Sequence, residues 1–319
     1  MEYVIRREDW RDYARIAELN AEAFDYGAGM AEVSLIDALR RRRLYMPELS
    51  LVAKAEGFVI GHIMFSLCHV RIGGKRFRAA LLGPVAVAPQ LQKQGVGSAL
   101  IEEGHRILEE IGVNVGFLLG HSNYYPRFGY RTRMFGSCRL QVTSQDLPAA
   151  EAASPITERR VARSDLAGLL RMWELWYGDV DMSLEVGGDL ADWFSPDKRF
   201  RSVVLEQEGA AVGYVKYRAD RPHSPEMVLA RDGEYMLRVL GHLASLSREP
   251  LSLPLHPLSR AVREQLRLSY ESQTDLWEAA MMRTFGSGSA EADAYMDEVR
   301  DGRRLPGLMV WPAAFDFGS

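Results

Sequence analysis

A chain of 319 residues, 47% hydrophobic and 26% charged, is long enough for two domains, each with a buried core. Its net charge of −4 argues against bulk nucleic-acid binding, and no run approaches the roughly 18 apolar residues of a membrane span. The charged N-terminus lacks the apolar core of a secretory signal. Cys68 and Cys138 form no CxxC pair, so a reduced, cytoplasmic setting without disulfides is expected.

Taken in chain order, "YVIRRE" predicts a short strand. "DWRDYARIAELNAEAF" predicts a helix behind an Asp9 cap, with Trp10, Tyr13, Ile16, Ala17, Leu19 and Ala23 near helical spacing. A second helix is expected over 31–43, its Arg40-Arg41-Arg42-Arg43 run reading as a solvated helix end favoured by the dipole. Residues 50–89 predict three strands with turns at Glu56-Gly57 and Gly73-Gly74, and Gly83-Pro84 marks an interrupted ladder or a bend in the third. A helix over about 95–110, the buried strand "NVGFLLGH", a turn "SNYYPRFGY" and last strand material in "RTRMFGSCRLQV" follow. The order β-α-α-β-β-β-α-β-α-β predicts an α/β fold with a mixed, mostly antiparallel central sheet flanked by helices.

The stretch "TSQDLPAAEAASPITE" (143–158) has no apolar periodicity and reads as a linker, which sets domains at 1–145 and 159–285 around a linker at 146–158. The second domain echoes the first: "RRVARSDLAGLLRMWELWYG" matches the first strand and helix, and "RSVVLEQEGAAVGYVKYRAD" matches the next two strands with their Glu-Gly turn. Two tandem copies of one fold are therefore expected. Residues 286–319 form an extension, opening on "GSGS" and ending in the apolar "LPGLMVWPAAFDF", which is expected to dock on the body. Residues 1–145 hold 19 Lys and Arg against 15 Asp and Glu, and the remainder 20 against 28. The basic first half suits a small polyanionic ligand.

The functional question centres on "PQLQKQGVGSALIEEGHRIL" (89–108). An apolar strand feeding a glycine-rich turn at a helix N-terminus is the geometry that binds phosphate through free backbone N–H groups. A dinucleotide loop needs a third glycine where Leu100 stands, and an acidic residue after the next strand, where Gly120-His121 stands. The GxxxxGK[ST] loop of a nucleoside triphosphate site is absent. A ligand held mainly by backbone groups remains, beside the alternative of a structural turn. No GxSxG or HExxH appears, and the seven histidines have no metal-site spacing, so no metal is expected.

Gln92-Lys93-Gln94-Gly95-Val96-Gly97 fits a Q/R-x-x-G-x-G/A pattern, and about 30 residues on Tyr125 stands four residues before Gly129-Tyr130. In both features the chain resembles the Gcn5-related N-acetyltransferase (GNAT) superfamily, over about residues 3–142, and within it small bacterial N-acetyltransferases. The resemblance implies acetyl-CoA as cosubstrate and acetyl transfer to a primary amine by direct attack. The pyrophosphate would lie on Gln92, Lys93, Gln94, Gly95, Val96, Gly97 and Ser98, and the pantetheine amides beside Val85 and Val87. Tyr125 would be the acid for the departing thiolate, with Tyr124 structural. His121 is the first candidate for the base, with Glu22 or Asp25 acting through water as alternatives, and Asn123 would hydrogen-bond the CoA arm. Each of these also has a plain structural reading, the aromatics as packing at a turn and His121 as a strand end.

The second half carries "ARDGEYML" (230–237) where the loop would recur, with Asp232 and Glu234 facing any anion, so it reads as a degenerate copy. Its expected work is to wall the acceptor cleft or to form a contact in a homo-oligomer. An aminoglycoside, a polyamine, an amino acid or a peptide N-terminus would each fit as acceptor. A non-catalytic acyl-CoA-binding module is the alternative from another class.

Overall fold

The computed structural model describes residues 2–24, 31–143, 145–147, 155–286 and 288–316. Asp25, residues 148–154 of the expected linker and Ser287 of "GSGS" lie outside the described residues. β1 (Val4–Arg7) passes through a single turn into α1 (Tyr13–Ala23). Asp9 caps this turn and Asp12 reaches back to the Asp9 amide at 2.8 Å. Asp12 also takes two bonds from Arg6, at 2.7 and 2.9 Å, which set the angle between strand and helix.

α2 (Ala31–Arg40), β2 (Ser50–Ala55), β3 (Phe58–Ile72), β4 (Lys75–Val87), α3 (Val96–Glu110), β5 (Val115–Leu119) and β6 (Phe135–Val142) complete the first half. The second half runs β7 (Thr157–Arg160), α4 (Leu166–Tyr177), β8 (Phe200–Gln207), β9 (Ala210–Arg218), β10 (Met227–Ala230), α5 (Gly233–Leu246), β11 (Leu251–Leu253), α6 (Arg260–Gln265), β12 (Glu271–Leu276) and β13 (Ala280–Thr284). α7 (Ala290–Arg300) and β14 (Gly307–Leu308) belong to the extension.

Local devices recur between the halves. Arg159 holds Asp165 through bonds of 2.7 and 2.8 Å, as Arg6 holds Asp12, and Asp165 takes the Ala162 amide as Asp12 takes that of Asp9. The turn between β8 and β9 uses Glu208 and Gly209 at positive φ, as Glu56 and Gly57 do between β2 and β3. In both hairpins the register slips just before the turn, between Ala53 and Lys54 and between Leu205 and Glu206.

The first sheet has the order β1-β2-β3-β4-β5-β13, antiparallel except for β4 beside β5. A second sheet is β10-β9-β8-β7, and a third sets β6 between β11 and β12, with β14 parallel to β6. α3 covers one face of the first sheet through Val96, Leu100 and Leu108, and α1 and α2 cover the other through Ile16, Leu19, Ile36 and Leu39.

Strand pairing departs from the expected division of the chain. Residues 135–142 were expected to close the first sheet, but the edge of β5 is taken by β13, from beyond residue 159. Burial accounts for the exchange: Ala280, Met281 and Met282 are all buried, as a covered strand requires, whereas β6 alternates buried and half-buried residues. The boundaries 1–145 and 159–285 therefore do not separate the sheets. Thr157 and Glu158, expected in the linker, are already in β7.

α2 stops at Arg40, and the arginine run is not a solvated helix end. Arg40 Nε and Nη2 donate to Glu8 at 2.9 and 2.7 Å, and Tyr45 Oη donates to the same carboxylate at 2.5 Å. Arg42 turns inward to Asp192 at 3.4 Å and over the Phe315 ring at 4.6 Å, leaving only Arg41 and Arg43 exposed. Burial alone would push the Glu8 carboxyl up, but bonds from Arg40 and Tyr45 hold it below the ordinary carboxylate value. Because that folded-state pKa is depressed, the stabilisation is present above the unfolded value near 4.5 and is lost as pH falls. Removing the cation strands a fully buried charge. Arg40→Met should cost about 3–5 kcal/mol in urea unfolding at pH 7. A loss below about 1 kcal/mol, the range of exposed ion pairs, would show the pair to be peripheral.

Candidate active site

β4 and β5 pair over three residues only, Ala79–Leu81 with Val115–Phe117. β4 then continues to Val87 and β5 to Leu119 without a shared ladder, so the sheet opens into a fork. The cis Gly83-Pro84 bond stands where they part, opposite a register slip between Ile63 and Phe65. This is the interruption expected from the Gly-Pro pair. The Ala88 amide donates to the Ile60 carbonyl at 3.0 Å, and alternate residues of an antiparallel ladder turn to the same side. Val85 and Val87 consequently turn their peptide groups toward the open fork. The Val87 carbonyl there accepts a bond from Gln92 Nε2 at 3.3 Å.

The glycine loop sits at the mouth of this fork. Gly95 caps α3 at φ +90°, where a side chain is strained. Gly97 serves otherwise: a Cβ there would lie 2.9 Å from the Tyr124 hydroxyl and 3.4 Å from Val87 Cγ2. Val96 packs into the core and anchors the helix start. The helical ladder begins with the Ala99 amide on the Gly95 carbonyl at 3.0 Å. Among the described residues no backbone amide from Lys93 to Ser98 donates to a carbonyl. These donors stand at the positive end of a 15-residue helix. Lys93, held at φ +62°, is exposed beside them, and Gln94 Nε2 braces the loop on the Gln90 carbonyl at 3.2 Å.

Arg127 adds a cation that sequence reasoning missed. Its guanidinium donates to Ser98 Oγ at 3.0 Å and lies 4.0 Å from the centre of the Tyr124 ring. The signal was present in "YYPRFGY", but only the fold carries that turn to the start of α3. Tyr124 is thus the spacer that sets Gly97 and seats Arg127.

Tyr125 opens a short turn, Tyr125–Phe128, and its ring covers Gly120, where a Cβ would meet it at 2.4 Å. Burial and the adjacent Tyr124 push its phenol up to about 12, so it keeps its proton across the neutral and alkaline range. The turn is braced from β13. Arg283 Nη1 donates to the Phe128 carbonyl at 2.7 Å and meets His105 Nδ1 at 2.8 Å. A guanidinium can only donate, so Nδ1 accepts and the His105 proton sits on Nε2, donated to Tyr130 Oη at 3.1 Å. Burial, then the Arg283 charge, push His105 down to about 3 and keep it neutral.

Three other expected residues are less engaged. His121 is exposed at the end of β5, its carbonyl accepting the Tyr124 amide at 3.0 Å, and Asn123 is exposed on the following turn. Glu22 is exposed and paired with Arg15 at 3.4 Å.

Across the sheet from α3, a cavity of about 620 Å³ reaches the fork at Leu82, Gly83 and Leu119. Its far wall comes from the second half, through Phe200, Lys216 and Arg218, and from the extension, through Trp311, Phe315 and Asp316. The apolar tail is docked as its composition predicted. Lys216 Nζ donates to the Trp311 carbonyl at 2.9 Å and to Asp316 at 2.7 Å, with the two side chains 1% and 7% exposed.

At the start of α5 the counterpart of the glycine loop is already filled. Asp232 caps the helix by accepting the Tyr235 amide at 3.0 Å, and the Gly233 amide donates to Gln265 Oε1 at 3.0 Å. A Cβ on Gly233 would lie 2.3 Å from the Gln265 carbonyl oxygen, so the backbone is packed where an anion would need to approach. Among the described residues no group of three or more His, Cys, Asp or Glu is placed to hold a metal, and no helix is long and apolar enough to cross a membrane. Cys68 and Cys138 are both buried and unpaired.

Comparison with known proteins follows this geometry. Residues 5–133 match a family model described as an acetyltransferase (GNAT) domain. The uncharacterized N-acetyltransferase YjhQ of Escherichia coli (strain K12) is 35% identical over 122 residues, 38% of this chain; the chain spans 66% of that relative, just under two thirds. A GCN5-related N-acetyltransferase from Kribbella flavida shares the fold over 89% of this chain and 71% of its own, at 17% identity and a TM-score of 0.64. A GNAT family acetyltransferase from Brucella melitensis, solved in complex with acetyl-CoA, is 40% identical where it matches, over 41% of this chain and 83% of its own, with a TM-score of 0.37. With the family model matched across the fork and its loop, residues 5–133 of the chain carry an acetyltransferase (GNAT) domain.

Proposed function

We propose that the chain moves an acetyl group from acetyl-CoA to an amine, with one active site at the β4–β5 fork. The observation that carries this reading is the pairing of the fork with unbonded amides at the start of α3. The Gly97 position seats the loop against Tyr124, since a Cβ there would lie 2.9 Å from its hydroxyl, and the amides at this helix start suit a pyrophosphate. In this reading the amides from Lys93 to Ser98 hold the phosphates, with Lys93 and Arg127 as counter-charges. Gln92 shapes the loop through Val87, and Asn123 meets the CoA arm. The open peptide groups of Val85 and Val87 pair with the pantetheine amides, and one donates to the thioester oxygen as it gains charge.

During transfer the N–C bond forms as the C–S bond breaks. The amine's proton leaves to His121, exposed at the end of β5, and the departing sulfur accepts a bond from the Tyr125 hydroxyl. A phenol near 12 is a poorer acid than a thiol near 8.5, a gap equivalent to about 5 kcal/mol. Tyr125 therefore stabilises the thiolate as a hydrogen-bond donor more than as a full proton source. The second half has its own anion site closed by Asp232 and Gln265, and its part is to wall the acceptor cavity. The recurring Arg-Asp clamp and Glu-Gly turn support a tandem origin, with residues 1–145 and 159–285 as the copies and their edge strands exchanged.

Tyr125→Phe should lower kcat roughly 10²-fold in a thiol-release assay while acetyl-CoA affinity by calorimetry stays within twofold. Unchanged turnover would refute the donor role, and wild-type binding without any turnover would favour a non-catalytic acyl-CoA-binding module. Gly97→Val should weaken acetyl-CoA binding at least tenfold with the fold intact by circular dichroism; unaltered affinity would move the phosphates off this loop. His121→Ala should lower kcat/KM at least tenfold while acetyl-CoA affinity by calorimetry stays within twofold. An unchanged kcat/KM in the variant would exclude His121 as the base.

A further inference from the structure

The turn carrying Tyr125 is held from a strand in the far half of the chain. Arg283 lies in β13, opposite Gly116 of β5 and well beyond the matched domain at 5–133. Its side chain is only 20% exposed, and its Cζ lies 4.2 Å from the centre of the Phe285 ring. From there Nη1 donates to the Phe128 carbonyl at 2.7 Å and to His105 Nδ1 at 2.8 Å, while Nη2 faces Glu109 at 3.6 Å. The guanidinium also lies against Gly129, where a Cβ would stand 3.9 Å from Arg283 Cζ. His105 passes the constraint on by donating its Nε2 proton to Tyr130 Oη at 3.1 Å. The Tyr130 ring stands edge-on to Tyr125, with centroids 6.2 Å apart and planes at 79°. One guanidinium thus reaches the turn twice, at Phe128 directly and at Tyr130 through His105.

Resting on the reading of Tyr125 as donor to the departing sulfur, we infer that Arg283 is a positioning residue for acetyl transfer. It acts through the turn, not by contact with the reacting atoms. A guanidinium only donates, so Arg283 fixes His105 Nδ1 as an acceptor and the imidazole proton on Nε2. Without that cation His105 is free to carry its proton on Nδ1, and Tyr130 loses its fixed donor. The Phe128 carbonyl loses its partner in the same change. The aromatic packing of the turn survives, but the Tyr125 hydroxyl no longer has one position. Misplacing a catalytic group by about 1 Å costs roughly 10²-fold in rate. The loop amides have a separate support, since Val96 and Leu100 are packed in the core and His105 lies about two turns further along α3. The cost of losing Arg283 therefore falls on turnover rather than on acetyl-CoA binding. In this assignment the second half does more than wall the cavity, because β13 supplies the clamp on the donor turn.

The test follows thiol release by the full chain from acetyl-CoA, with spermidine, glucosamine, lysine and 2-phenylethylamine offered and the amine turned over fastest then used throughout. Arg283→Met should lower kcat at least tenfold while acetyl-CoA affinity by calorimetry stays within threefold and the circular dichroism is unchanged. An unmoved kcat, or a loss confined to acetyl-CoA affinity, overturns the inference. A double variant with Tyr125→Phe separates positioning from general damage. If Arg283 acts through Tyr125, Arg283→Met should lower kcat less than threefold further once the hydroxyl is gone. A further tenfold loss, the two effects multiplying, overturns the assignment. The two levels are distinguishable: Tyr125→Phe without effect sinks the donor reading and this inference with it, whereas Tyr125→Phe with its expected loss and Arg283→Met without one sinks this inference alone. If Arg283→Met fails to fold, Arg283→Lys decides by the same cycle, since it keeps the charge but not the planar set of donors. It should lower kcat at least fivefold in the wild-type background and less than threefold beside Tyr125→Phe; an unmoved kcat, or equal losses in both backgrounds, overturns the inference.

Discussion

β4 and β5 hold each other through three residues, and beyond Leu81 and Phe117 each strand must find its partners elsewhere. Backbone polar groups in a covered sheet cannot stay unpaired without cost. On its inner side β4 solves this through β3, whose register slips once to follow it. On the outer side the peptide groups of Val85 and Val87 are left for Gln92 or a ligand. β5 turns to β13, a strand from more than 150 residues further along the chain. The same parting that creates a slot for an extended ligand thus obliges the far end of the chain to return and complete the sheet.

That return ties the site to the whole molecule. β13 brings Arg283, which orients His105 and braces the turn that carries Tyr125. The extension then crosses to the opposite face, where Lys216 and Arg42 from different halves hold Asp316 and Phe315. The first half supplies the fork and the helix start. The cavity beyond the fork, by contrast, is lined from both halves and the tail. The matched domain over residues 5–133 takes in the fork and its loop, and the far wall of the cavity lies outside that match.

Much of this was legible in local sequence, because it depends on local physics. Gly95 and Gly97 marked the loop, Gly83-Pro84 marked the break in β4, and the Glu-Gly turns marked both hairpins. Asp232 in the second half marked a helix start, where its carboxylate caps α5. What escaped was non-local. The apolar run of β13 reads like any buried strand, and nothing in it says which sheet it joins. Arg40 and Arg42 look solvated in a basic run until Glu8 and Asp192 are brought opposite them. Arg127 is one arginine among many until the turn carries it to Ser98. Asp316 gains its meaning only from Lys216, on a strand 100 residues earlier.

The central claim is that acetyl-CoA occupies the fork with its phosphates on the unbonded amides of α3. Hydrogen–deuterium exchange of the full chain with and without acetyl-CoA reads those amides directly. The account predicts fast exchange at Lys93–Ser98 in the free protein, slowed at least tenfold on binding, with protection extending to Val85 and Val87 and none arising at the start of α5. Saturating acetyl-CoA that leaves residues 85–98 unchanged, or protects Gly233–Tyr235 instead, would contradict it.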